Sequence, residues 1–178
     1  MSDNPLVRSL TEMCQFLNVE GLDYVLVGGL SVGIWSEPRA TVNVDFLISL
    51  AEKDSRRFVQ RLQASDKFVF IHDQPMVFKR VSFLRATLKS NTDISVDFLF
   101  ADDDFKQAAL KRRISVQMSG ATVNIPTPED LILLKQLSGR PQDILDAEKI
   151  QHVRRNELDE DYMRKWSKKL GIEQKRKQ

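Results

Sequence analysis

The chain has 178 residues, 42% hydrophobic and 29% charged, with a formal net charge of +2. That is the make-up of an ordinary folded domain, too near neutrality to name a nucleic-acid partner by charge. Cys14 is the one cysteine and His72 and His152 the two histidines, which excludes a disulfide framework and argues against a zinc cluster.

No apolar run reaches the length of a membrane span, and the start, MSDNPLVRSL, has no signal-peptide pattern. A cytoplasmic protein without a membrane contact is expected. With no internal repeat, residues 1–170 read as a single domain whose C-terminal helical part covers 127–170. The basic end, 171–178, reads as a disordered tail.

Leu6, Leu10, Met13, Cys14 and Leu17 recur at helical spacing, so Asn4 to Val19 predict an amphipathic helix. Gly21 turns the chain into Tyr24–Val27, an apolar strand ending at Gly28-Gly29. The short apolar segment Leu30–Trp35 predicts a helix, and a polar turn with Pro38, Arg39 and Thr41 leads to a second strand over Val42–Ser49. Side chains alternate along a strand, so Asn43 and Asp45 share one face while Val44 and Phe46 face a core. A glycine turn lets a phosphate approach main-chain N–H groups at the start of the following helix.

Ala51–Ala64 predicts a helix with a solvated basic face, and Phe68–Ile71 a short strand. Val77 to Leu88 alternates loosely between turns at Asp73–Pro75 and Lys89–Asn91, as antiparallel strands do. In the next strand Asp93, Ser95 and Asp97 share one face, and Ile94, Val96, Phe98 and Phe100 the other. Two readings fit those acids: an edge strand with a wet face, or a metal site in which Asp97 joins Asp45. Asp102 to Arg113 places acids before bases along a helix, as the macrodipole favours. Ile114–Met118 and Ala121–Ile125 predict a hairpin turning at Ser119-Gly120.

Thr127-Pro128-Glu129-Asp130 is a helix start, and Pro128–Ser138 a deeply packed helix that carries Lys135 in its middle. The stem of Lys135 could run along apolar surface to water. Ser138-Gly139-Arg140-Pro141 separates this helix from the next, and Leu158, Tyr162, Trp166 and Leu170 mark a last one.

Gly28-Gly29, Arg39-Ala40-Thr41 and Asn43-Val44-Asp45 resemble the nucleotidyltransferase superfamily of the DNA polymerase beta type. The likeness is narrowest to its small bacterial branch, which includes abortive-infection toxins. A second patch, Lys135, Arg140, Asp143 and Asp146, resembles the same branch. The resemblance implies an α/β (α+β) fold, a mixed sheet flanked by helices. It implies a Mg²⁺-dependent transfer of an NMP from an NTP to a hydroxyl of RNA or protein, with a cognate antitoxin as a possible partner.

On that likeness Asp45, Asp97 and Asn43 are the metal-binding set and, with Lys135, the catalytic set. Gly28, Gly29, Ser31, Arg39 and Thr41 would bind the nucleotide, Arg39 and Lys135 adding positive charge. The branch has an acid where this chain has Asn43, so a weakened two-metal site is expected. The alternatives are a catalytically silent nucleotide- or partner-binding module on the same fold, and an α/β domain in which these residues are structural.

Overall fold

A computed structural model describes residues 4–78 and 81–172. Lys79 and Arg80, and residues 173–178 of the expected tail 171–178, lie outside the described residues. The sheet contains β1 (Tyr24–Val27), β2 (Asn43–Ile48), β3 (Phe68–Ile71), β4 (Met76–Phe78), β5 (Val81–Leu88) and β6 (Asn91–Phe100). Its order is β1-β2-β6-β5-β3, with β4 also paired to β5. β2 and β6 run parallel, and the other pairs in this sheet are antiparallel. The fold is therefore a mixed sheet flanked by helices, as the sequence led us to expect.

One face of the sheet is apolar by strict alternation. Phe46, Phe98 and Leu84 lie in one row across β2, β6 and β5. The helix α1 (Pro5–Val19) covers this face with Leu10, Met13 and Leu17, and α3 (Ser55–Ala64) adds Phe58 and Leu62. Phe58 meets Phe98 edge-on at 5.1 Å, and Tyr24 meets Phe46 at 5.5 Å, the geometry aromatic quadrupoles favour. The hairpin β7 (Ile114–Met118) and β8 (Ala121–Ile125) adds Val123 and Ile125 to that core. Its tight turn has positive φ at Ser119 and Gly120, as two-residue hairpin loops require.

The opposite face packs Val25, Val27 and Leu47 against α2 (Gly28–Trp35), α4 (Asp104–Lys111), α5 (Pro128–Ser138), α6 (Pro141–Arg154) and α7 (Glu160–Leu170). Thr127 caps α5 by accepting from the Asp130 amide, and Gly139 ends it in the left-handed conformation. At α4, Asp103 is the cap and accepts from the Lys106 amide, so one acid of the expected dipole pattern is a capping residue.

Among the boundaries that differ from the sequence reading, two are helix starts. The segment before α3 is a 3-10 turn over Glu52–Asp54, so the α-helix begins only at Ser55. α2 begins at Gly28 itself, so the glycine pair is the first turn of the helix, where a separate glycine turn was expected. Among the described residues no helix is long and apolar enough to cross a membrane.

Candidate active site

The second sheet face carries a polar row. Val27 of β1 pairs with Asp45 of β2, Asp45 with Asp97 of β6, and Asp97 with Arg85 of β5. Neighbouring strands lie about 4.8 Å apart, so the two carboxylates are adjacent by construction. In the next row Asn43 pairs with Ser95, and Ser95 with Thr87. Period two therefore puts Asn43, Asp45 and Asp97 on one face, as the alternation in the sequence implied.

Gly28 stands against Asp45: a Cβ there would come within 1.9 Å of Asp45 Oδ2, and its φ is +71°. Only glycine meets both conditions. Gly29 is equally close to the next motif, since its Cβ would lie 3.0 Å from Thr41 Cβ and 3.2 Å from Arg39 Cζ. Thr41 Oγ1 in turn sits 3.3 Å from the Asn43 carbonyl and 3.4 Å from the Asn43 amide. The three sequence motifs are thus one packed joint at the head of α2.

Asp45 is partly buried and, among the described residues, forms no salt bridge. Burial and, after it, the charge of Asp97 push its carboxyl up to about 6, against the pull of Lys135 and Arg140. Asp97 has a partner. Arg85 Nε and Nη2 donate to its two oxygens, both at 2.7 Å, a bidentate fork. That bond holds the Arg85 guanidinium still more firmly protonated.

Lys135 is buried and lies between helices. Its Nζ donates to Asp143 Oδ1 at 2.6 Å and to Asp146 Oδ2 at 3.0 Å. Ser138 and Arg140 also donate to Asp143, and Arg39 grips Asp146 with Nε at 3.0 Å and Nη2 at 2.9 Å. Burial would raise both carboxyls. Lys135 and Arg140 outweigh it at Asp143, and Arg39, Gln142 and Lys135 at Asp146, so both stay below the ordinary range. The second motif is a staple of α5 to α6, and through Arg39 it clamps the segment entering β2.

A cleft opens between the sheet row and α5. Gly28, Asp45, Asp97 and Lys135 line it, with Arg85, Lys106, Ser138, Arg140 and Asp143. Phe78, Phe83, Leu99, Leu131, Leu134 and Leu137 form its apolar wall. Of the other residues singled out in the sequence, Arg39 and Thr41 lie in the joint behind Gly29, and Ser31 is fully buried, its hydroxyl without a hydrogen-bond partner among the described residues. Asn43 is half-buried on the row beside Asp45.

Arg85 was missed in the sequence, where it is one polar residue in a loosely alternating strand. The available signal was its parity with Phe83 and Thr87 on a hairpin partner of the Asp97 strand. The register that sets it opposite Asp97 is not in that parity.

Hard divalent cations need several oxygen ligands. Among the described residues no three His, Cys, Asp or Glu side chains are placed to hold a metal ion. Both oxygens of Asp97 face Arg85, so the donor set does not fit two ions. What remains on that face is Asp45, with Asn43 two residues before it, a set that would need phosphate oxygens to complete the shell of a single ion. This is the way Mg²⁺ commonly binds in nucleotide sites.

A glycine-headed helix beside paired strand carboxylates on a mixed sheet is the arrangement of a nucleotidyltransferase-type fold. The sequence places the chain within one family: it belongs to the nucleotidyltransferases of unknown function (DUF6036), whose profile matches residues 6–177. The antigenic nucleotidyltransferase-like protein of Paracoccidioides brasiliensis is similar in structure, with TM-score 0.52 and 16% identity over 97% of this chain and 95% of that one. The antibiotic-resistance factor ANT(2'')-Ia is similar with TM-score 0.59 and 11% identity over 94% of each chain. Lincomycin-bound LnuA, a lincosamide antibiotic adenylyltransferase, gives TM-score 0.52 and 12% identity over 86% of this chain and 98% of that one. No curated protein matches the sequence.

Proposed function

We propose that the chain moves an NMP from an NTP to an acceptor hydroxyl in the cleft between the sheet row and α5. The observation that carries this reading is the in-register pair Asp45 and Asp97, with Gly28 pressed against Asp45 at the head of α2. The first amides of α2 would receive the terminal phosphates, since N–H groups at a helix start are unpaired and carry its positive pole. Asp45, with the Asn43 amide oxygen, would hold one Mg²⁺ carried in on the phosphates. Such an ion neutralises charge on the phosphoryl oxygens and favours an ionised acceptor hydroxyl.

The chain's own residues then position the reactants. The apolar wall of Phe83, Leu131 and Leu134 excludes water from the base or the acceptor body. Arg140, at the cleft, adds positive charge near the triphosphate. Lys135 and Arg39 would act on the nucleotide through the staple that fixes the cleft wall. RNA or a protein hydroxyl is the acceptor class we favour, with a cognate antitoxin as a partner of such an enzyme.

A second reading, a nucleotide-binding module without transfer, is favoured by Asn43 and by the engagement of Asp97 with Arg85. Labelled NTPs, Mg²⁺ and an acceptor panel of cell RNA, cell protein, lincomycin and tobramycin separate the two. Label should pass to one acceptor with the wild type and fall about 100-fold or more with Asp45→Ala. Asn43→Asp restores a charge worth several kcal/mol at contact distance, and should raise transfer about tenfold or more. NTP binding without label from wild type or Asn43→Asp would establish the module instead.

A further inference from the structure

We propose that Arg85 is a fixed internal cation, occupying beside Asp97 the place a second divalent ion would need, so that the site takes one divalent ion per nucleotide. The inference rests on the reading of this cleft as the triphosphate site, but its first test does not.

The geometry is that of occupancy. Arg85 faces Asp97 directly across β5 and β6, at the end of the row that begins with Asp45. Its Nε and Nη2 take both carboxylate oxygens at 2.7 Å. A metal at Asp97 would have to bind the same two oxygens with the positive guanidinium beside it. The Phe83 ring, two residues back on the same strand face, lies 5.8 Å from the guanidinium carbon and steadies it.

An arginine has five N–H donors, and the two bonds to Asp97 leave three. The guanidinium lines the cleft with 38% of the side chain exposed, whereas that of Asp97 is 8% exposed. The remaining donors are of the type that pairs with phosphate oxygens.

Charge balance points the same way. Three carboxylates with two divalent ions carry a net charge of +1, the combination a two-metal phosphoryl site uses. Asp45, Asp97 and Arg85 with one divalent ion also carry +1. Asn43 in place of an acid and Arg85 in place of an ion are therefore compensating features, each explaining why the other is tolerated.

The test is binding of Mn²⁺ alone to the full chain, read by the loss of the free-ion EPR signal. Wild type should bind no Mn²⁺ at Asp97, and R85Q should gain a site that R85Q/D97N lacks. The double variant is uncharged at both positions, so it keeps the fold measurable when R85Q is destabilised by the uncompensated carboxylate. Two Mn²⁺ ions on wild type, either of them lost with D97N, would overturn the proposal, as would R85Q and wild type binding alike. With a non-hydrolysable NTP analogue, wild type should bind one Mn²⁺ and retain analogue affinity in EDTA. R85Q should lose at least tenfold of that EDTA affinity, and R85K should keep part of it. Binding of the analogue only with Mn²⁺ would overturn the phosphate role of Arg85. If no analogue binds wild type under any condition, the triphosphate reading fails, while the Mn²⁺ arms still decide what occupies Asp97.

Discussion

At Asp45 the fold holds a carboxylate whose charge it resists. The carboxyl is pushed up to about 6 by burial and by Asp97, whereas an unfolded chain would titrate it near the ordinary value of 3.8. The folded state thus binds the proton more tightly than the unfolded one, and its advantage is complete below the unfolded value. It is lost as pH rises through the folded value. One unit is worth about 1.4 kcal/mol, so the loss above pH 6 is at most about 3 kcal/mol. Asp45→Asn should therefore be more stable than wild type at pH 7 by about 1–3 kcal/mol, with the difference closing near pH 4. Urea unfolding at the two pH values measures it, and an unchanged or lowered midpoint at pH 7 would mean that Asp45 is well solvated. Nucleotide binding that needs the ionised carboxylate should rise between about pH 5 and 7. The neighbouring residue gives a second prediction at this scale. Gly28→Ala places a methyl against Asp45 Oδ2 in a left-handed backbone, which should cost about 2–4 kcal/mol and displace the carboxylate. Its thermal midpoint and its nucleotide affinity should fall together.

Among the elements, the pair α5 and α6 is joined by charge inside an apolar setting. Lys135 lies between Asp143 and Asp146 with 6% of its side chain exposed. Removing it leaves two buried carboxylates with fewer partners, though Arg140 and Arg39 remain. Lys135→Met should destabilise by about 3 kcal/mol, the low end for breaking a buried ion pair. A lysine that mainly reached the triphosphate would behave differently: its loss would weaken nucleotide binding and leave the urea midpoint unchanged. The same elements explain how Arg39 serves the site from outside the cleft. Its fork on Asp146 ties the approach to β2 to the helices, and Gly29 packs against it. Arg39→Lys keeps the charge but loses the bidentate geometry, so it should loosen β2 and lower the thermal midpoint by several degrees, about 1 kcal/mol.

Across the whole molecule, features set by local chemistry were readable and those set by packing were not. Alternation placed Asn43, Asp45 and Asp97 on polar faces, and Thr127-Pro128 with Gly139 marked both ends of α5. The parallel pairing of β2 and β6 makes those separate strand patterns one row, and the resemblance, more than any local signal, led to it. Lys135 was visible as a charge on an apolar helix. Its two carboxylate partners depend on the angle at which α6 returns over α5, which no spacing encodes. Arg85 stayed hidden because hairpin register, shifted by an irregularity between Thr87 and Leu88, decides which residue meets Asp97. The glycine pair was legible as a site of close approach. That it would open α2, with Gly28 against the carboxylate, follows only from the packed joint. The central claim is that this row and the wall of α5 form a nucleotide site. Backbone NMR of the full chain titrated with a non-hydrolysable NTP analogue and Mg²⁺ tests it most directly. We expect the largest shifts at Gly28, Gly29, Asp45, Arg85 and Leu134, saturating together and weakened in Gly28→Ala. Shifts confined to the other sheet face or to α7, or none at all, would contradict the account.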